Sequence, residues 1–136
     1  MKSKKVILDT NLWISFLISK QLNFIDDLLL EGKFKLIFSK ELIDEFLNVA
    51  KRPKFQRYFS DSNVTELLRL FDKYGKLVDV SSQIKACRDY KDNFLLNLAV
   101  DGKADFLITG DDDLLVIKKI GKTKIMHWTD FTKSLK

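Results

Sequence analysis

The chain has 136 residues, 46% of them hydrophobic and 32% charged, with a formal net charge of +5. That composition fits one folded domain over residues 1–136 with a sizeable core, and it excludes a disordered chain. No apolar run reaches the roughly 18 residues of a membrane span, and Cys87, the one cysteine, excludes an internal disulfide and a thiolate zinc site.

The opening MKSKKVILDT turns charged too soon for a signal peptide, so a cytoplasmic protein with no membrane partner is expected. KVIL (5–8) reads as a short strand, too apolar to be half exposed. Helical patterns follow at 11–18 and 22–31, the second closed by Gly32. KLIF (35–38) is a second strand, and Ser39 can cap a helix over 40–51 that Pro53 bars from extending. NVTELLRLFDKYG predicts a helix with Asn63 as N-cap, Glu66 completing a capping box and Gly75 as its stop. KLVDV (76–80) is a third strand. DNFLLNLAVDG (92–102) is a helix with Phe94, Leu95, Leu98 and Ala99 on one face. DFLIT (105–109) is a fourth strand, DDLLVIKKI a short helix, and TKIMHW (123–128) a fifth strand.

Strands alternate with helices nearly throughout, which argues for an α/β sandwich on a mainly parallel sheet. In such sheets the site lies outside the carboxyl ends of the strands. Asp9 follows the first strand and Asp111 the fourth, and these are the two most apolar strands. Asp89 and Asp92 precede the helix that feeds the fourth strand, which must begin at the same edge. Glu45 lies on the helix after the second strand, but Glu41 is four residues away on the same face, so spacing does not choose between them.

Each acid has a plain structural role available. Asp92 and Asp9 can cap helices, and Asp112 and Asp113 suit a first helical turn. Their convergence on one edge raises the functional reading. Carboxylates gathered in a cleft need a cation, and hard oxygens without a histidine cluster select Mg²⁺ or Mn²⁺. Such ions activate water and neutralise phosphoryl charge. The one histidine, His127, reads as a surface or half-buried residue in or after the last strand. Two basic clusters have the charge to hold phosphate backbones: Lys51, Arg52, Lys54 and Arg57, and Lys118, Lys119, Lys122 and Lys124. An ordinary soluble surface explains them equally well.

VILDTNLWISFL, LIDEFLNVAKRPKF and RDYKDNFLLNLAVDGKADFLITGDDDLL together resemble, in order and spacing, the PIN-domain ribonucleases. The likeness is greatest to a small bacterial branch assigned as toxins of toxin–antitoxin pairs, and it runs from about residue 5 to 131. The resemblance implies a three-layer α/β/α sandwich with a mainly parallel five-stranded sheet, and Mg²⁺- or Mn²⁺-dependent cleavage of single-stranded RNA. It assigns Asp9, Glu45, Asp92 and Asp111 as catalytic acids, with Asp9, Asp92 and Asp111 on the metal. Asn11 and Thr109 match small polar positions that orient acids or water, and Asp113 often accompanies them. Besides the RNA substrate it admits an antitoxin protein and a homodimer as partners. Lys51, Arg52 and Lys91 are expected to hold RNA at the rim. Two other readings stand beside this one: an Mg²⁺-binding phospho-acceptor signalling domain, and a non-catalytic RNA- or protein-binding module on the same fold.

Overall fold

The computed structural model describes residues 4–19, 34–55, 75–81 and 93–134, with Gly32, Thr65, Leu68, Arg69 and Lys73. The chain begins with β1 (Lys4–Leu8), whose Val6, Ile7 and Leu8 are buried whichever face they point to. A strand without alternation must be covered on both sides, which places it at the sheet centre. Asp9 then starts α1 (Thr10–Ser19), in which Trp13 and Ile14 are buried. β2 (Phe34–Phe38) leads through Ser39 into α2 (Lys40–Ala50). The Ser39 hydroxyl accepts from the Leu42 N–H at 3.1 Å, the N-cap its sequence position predicts. Leu42, Phe46, Val49 and Ala50 form the buried stripe of α2, and α1 packs against it. Pro53 does end that helix, in a short 3₁₀ turn (Pro53–Phe55).

β3 (Gly75–Leu77) is shorter than the expected 76–80 and lies at the edge, with Leu77 57% exposed. The expected helix at 22–31 lies outside the described residues, as does most of the one before β3; Thr65, Leu68, Arg69 and Lys73 of that stretch are helical. α3 (Asn93–Asp101) buries Leu95, Leu96, Leu98 and Ala99, while Phe94 is half-buried. β4 (Phe106–Ile108) follows, then α4 (Asp112–Leu115), β5 (Lys119–Ile120), β6 (Thr123–Met126) and α5 (Trp128–Ser134).

The sheet runs β3-β2-β1-β4-β6-β5 and is parallel except for β5 against β6. It has six strands where five were expected. The extra strand, β5, is the last two residues of the stretch read as a helix. Helix α4 stops after one turn, Lys118 adopts φ 67°, and the Lys118 carbonyl accepts from the Ile125 N–H at 2.9 Å. A two-residue Gly121–Lys122 turn then closes the β5–β6 hairpin, with Gly121 at φ 55° as a primed turn requires at its first central position. The expected strand 123–128 ends at Met126, because His127 and Trp128 open α5 instead. That helix rests on one fully buried residue. Phe131 meets Phe34 edge-on at 5.4 Å between ring centroids and Phe106 at 5.5 Å.

The order has a functional meaning. From β1 the chain builds β2 and β3 on one side, then returns to build β4 and β6 on the other. Right-handed crossovers in opposite directions put helices on both faces. They also leave a crevice between β1 and β4, outside their carboxyl ends, where parallel α/β sheets bind ligands.

Candidate active site at the β1–β4 switch point

Asp9 stands in that crevice. Its N–H donates to the Ile108 carbonyl at 3.0 Å, and its own carbonyl accepts from Leu12 and Trp13 at 3.0 and 3.3 Å. The residue is therefore fixed by β4 on one side and by the first turn of α1 on the other. It is 6% exposed. Its Oδ2 accepts from the Thr109 hydroxyl at 2.6 Å, and Oδ1 takes a longer bond from the Asn11 N–H at 3.4 Å. Burial raises the Asp9 carboxyl above its ordinary value. The Thr109 hydroxyl and the backbone N–H groups of Asn11 and Thr10 pull it back, while the Asp111 charge pushes it further up. Among the described residues, no cationic side chain acts on it.

Thr109, fully buried, joins the two strand ends. Its N–H donates to the Met126 carbonyl at 3.0 Å, which ties it to β6. Its hydroxyl donates to Asp9 and accepts from the Asp111 N–H at 3.0 Å. Asp111 is in turn the N-cap of α4, its Oδ1 accepting from the Asp113 N–H at 2.9 Å. A continuous series of hydrogen bonds thus runs from Asp113 through Asp111 and Thr109 to Asp9. Asp111 and Asp113 are half-buried, whereas Asp112 is exposed. The three adjacent aspartates are separated in role by the single helical turn they open.

The other expected residues divide. Asn11 is exposed at the start of α1, beside Asp9. Glu45 is half-buried on α2, flanking the apolar stripe, and Glu41 is exposed. Glu41 instead lines a groove of about 470 Å³ with Ser39, Leu77 and Asp79. Among the described residues no three His, Cys, Asp or Glu side chains form a metal-binding group. Asp92 and Asp89 lie outside the described residues, as does Lys91. Lys51 and Arg52 are exposed, but at the far end of an eleven-residue helix that starts at this edge, about 16 Å from Ser39. They do not form the rim expected of them.

His127 is exposed just past β6, as its sequence position implied, but its nearness to the site was not foreseen. It follows β6, and its Nε2 stands 4.0 Å from where a Cβ on Gly110 would lie. Gly110 separates Thr109 from Asp111, so the imidazole borders the site. The signal available in sequence was weak: a histidine just past a strand that neighbours β4.

The donor set fits a hard divalent cation. Burial opposes the ionisation of Asp9 beside a second carboxylate, and a hard cation held by their oxygens would offset both effects. Thr10 Oγ1, next to Asp9, is buried and unpartnered among the described residues, a further hard oxygen at this edge.

Carboxylates at the switch point of a parallel α/β sheet stand where such sheets bind their ligands. The chain belongs to the PIN domain family, whose model matches residues 5–113. It is 31% identical over 121 residues to the uncharacterized protein MJ1680 of Methanocaldococcus jannaschii, spanning 87% of this chain and 77% of that one. Its fold is similar to the PIN domain of human SMG5, at TM-score 0.51 and 15% identity, covering 97% of this chain and 99% of that one. It is also similar to a chain of VapBC2 from Rickettsia felis, solved bound to a DNA fragment from the promoter. There the TM-score is 0.50 and the identity 18%, covering 91% of this chain and 98% of that one. Among the described residues no helix is long and apolar enough to cross a membrane.

Proposed function

We propose that the chain is a divalent-cation-dependent endoribonuclease that hydrolyses phosphodiester bonds in single-stranded RNA, acting as the toxin of a toxin–antitoxin pair. One observation carries the reading: Asp9 and Asp111 share Thr109 at the switch point of a sheet whose chain belongs to the PIN family. The fold shared with VapBC2 supports the toxin–antitoxin part. The phospho-acceptor alternative requires an acid pair directly after the first strand as well as an acceptor aspartate after a later one, whereas β1 is followed by Asp9 and then Thr10, and β2 by Ser39, whose hydroxyl is occupied as a cap.

Asp9, Asp92 and Asp111 would hold Mg²⁺ or Mn²⁺, with Glu45 assisting. When bound, the ion supplies charge neutralisation at the phosphate and a lowered pKa for attacking water. Thr109 keeps Asp9 oriented with its Oδ1 directed away from the hydroxyl bond. Asn11 presents a side-chain amide beside Asp9 that can position the incoming phosphate or water. Asp113 stiffens Asp111 through its backbone N–H.

The test is cleavage of a mixed panel of single-stranded RNA and DNA with Mn²⁺, with EDTA, and with the Asp9→Asn variant. RNA cleavage that requires Mn²⁺ and disappears in Asp9→Asn is expected. Cleavage that survives either change overturns the proposal. A melting temperature indifferent to Mg²⁺ and Mn²⁺ would favour the non-catalytic module, because a ligand that binds the folded state must stabilise it.

A further inference from the structure

A phosphodiester bound at this edge presents oxygens that accept hydrogen bonds and donate none, and the Asp9 and Asp111 side chains already act as acceptors there. Donors are therefore the scarce resource. The donors at the centre of the site are already committed. The Thr109 hydroxyl is given to Asp9, the Asp111 N–H to Thr109, and the Asp113 N–H to Asp111. On the β1 side the exposed Asn11 amide and the buried Thr10 hydroxyl remain. On the β6 side stands His127.

The tautomer of His127 follows from one contact. The Thr129 N–H donates to His127 Nδ1 at 3.3 Å. A backbone N–H can only donate, so Nδ1 is the acceptor nitrogen and the proton of the neutral ring sits on Nε2. Nε2 is the atom that faces Gly110. At 4.0 Å it is the one heavy atom near a Cβ built there, among the described residues other than Gly110 and its two chain neighbours. Gly110 is exposed and flanked by Thr109 and Asp111, so a phosphate can approach its backbone closely, with the imidazole N–H alongside.

We propose that His127 Nε2–H is a substrate-binding donor that holds a non-bridging phosphate oxygen of the nucleic acid against Gly110, beside the Asp9–Thr109–Asp111 group. The proposal rests on the nuclease reading for its substrate, but the binding it describes does not require cleavage. The ring has two jobs on two nitrogens: Nδ1 anchors the first turn of α5, and Nε2 reaches the ligand.

Two substitutions separate those jobs. His127→Asn places an acceptor near the Nδ1 position, and asparagine is a favoured cap, but it has nothing at Nε2. His127→Gln reaches the Nε2 position with an amide N–H and gives up the cap. The first readout is affinity for a fluorescent single-stranded RNA oligonucleotide without divalent ions. The second is the split between kcat and KM in Mn²⁺. We expect His127→Asn to melt near the parent, to bind about tenfold more weakly and to raise KM by a similar factor. His127→Gln should retain most of the affinity while melting lower. Undiminished affinity in His127→Asn, or equal losses in both variants, overturns the proposal. If neither the parent nor any variant cleaves RNA, the nuclease reading fails, and the affinity comparison still decides the role of His127.

Discussion

Thr109 and Asp9 stand 100 residues apart in the chain, yet their side-chain oxygens are 2.6 Å apart. The hydroxyl is the shortest partner of a carboxylate that burial disfavours in its charged form. It also accepts the Asp111 N–H, so one oxygen atom sets the relation between the two acids at the switch point.

Removing that oxygen should unsettle both. Thr109→Val keeps the branched shape but leaves a buried carboxylate and a backbone N–H without their partner. A loss of about 1–3 kcal/mol in urea unfolding at pH 7 is expected, together with reduced Mn²⁺-dependent cleavage. Thr109→Ser retains the hydroxyl and should recover most of both. A Val variant as stable as the parent would show that the hydroxyl contributes nothing net.

Asp9 makes the site a source of instability that depends on pH. Its carboxyl is raised in the folded state above 3.8, so the protonated form stabilises the fold. That stabilisation is fully present below 3.8 and is lost as pH rises through the folded value. Asp9→Asn, which cannot ionise, should therefore melt higher than the parent at pH 7 without divalent ions, by roughly 2–8 °C for each kcal/mol relieved. The gap should close as pH falls toward 3.8. Thermal scans across pH 3–8 read this directly, and a variant that melts lower at every pH would contradict it.

Asp105, before β4, behaves in the opposite sense. Burial raises its carboxyl, but the Lys5 N–H at 2.8 Å and the Lys122 ammonium at 3.5 Å outweigh that and leave it lowered. Its contribution is present above 3.8 and fades as pH drops through the depressed folded value. Asp105→Ala should cost about 1 kcal/mol at pH 7 and nearly nothing in strong acid. A cost independent of pH would point to lost packing instead.

Gly102 is required by close approach. A Cβ there would meet Ile37 Cδ1 at 2.7 Å and the Leu98 carbonyl oxygen at 2.9 Å. The isoleucine can yield, but the carbonyl belongs to the α3 backbone. Gly102→Ala should therefore destabilise by about 1–3 kcal/mol. Adding Ile37→Val, which removes Cδ1, should recover only part of the loss. Full recovery would mean that the carbonyl clash relaxes freely.

Much of this was readable from residue patterns, and the failures are instructive. KVIL, KLIF and the apolar part of DFLIT announced β1, β2 and β4, because a run buried on both faces has no polar alternation to disguise it. Ser39 and the spacing of Leu42, Phe46 and Val49 announced α2. The hairpin was misread because Val116, Ile117 and Ile120 look like a helix continuing, whereas the positive φ at Lys118 turns the chain to give β6 an edge partner. The helix at Trp128–Ser134 is carried by the packing of Phe131 and Trp128 on the core and by an imidazole cap, neither of which has a local signature. At the site, position after a strand identified Asp9 and Asp111. The Thr109 bridge requires β1 and β4 to be neighbours, which sequence order does not reveal.

Phe131 carries one more consequence. It sits fully buried between Phe34 of β2 and Phe106 of β4, so a residue near the end of the sequence closes a core begun near its start. During synthesis the ribosome delivers Lys4 first and Phe131 roughly 6–25 s later, at about 5–20 residues per second. Until then the hydrophobic interior has an open side. The acid-lined crevice therefore takes its final shape late in translation: Asp9 waits through most of that interval for Thr109 and Asp111, and these precede Phe131 by only about 20 residues.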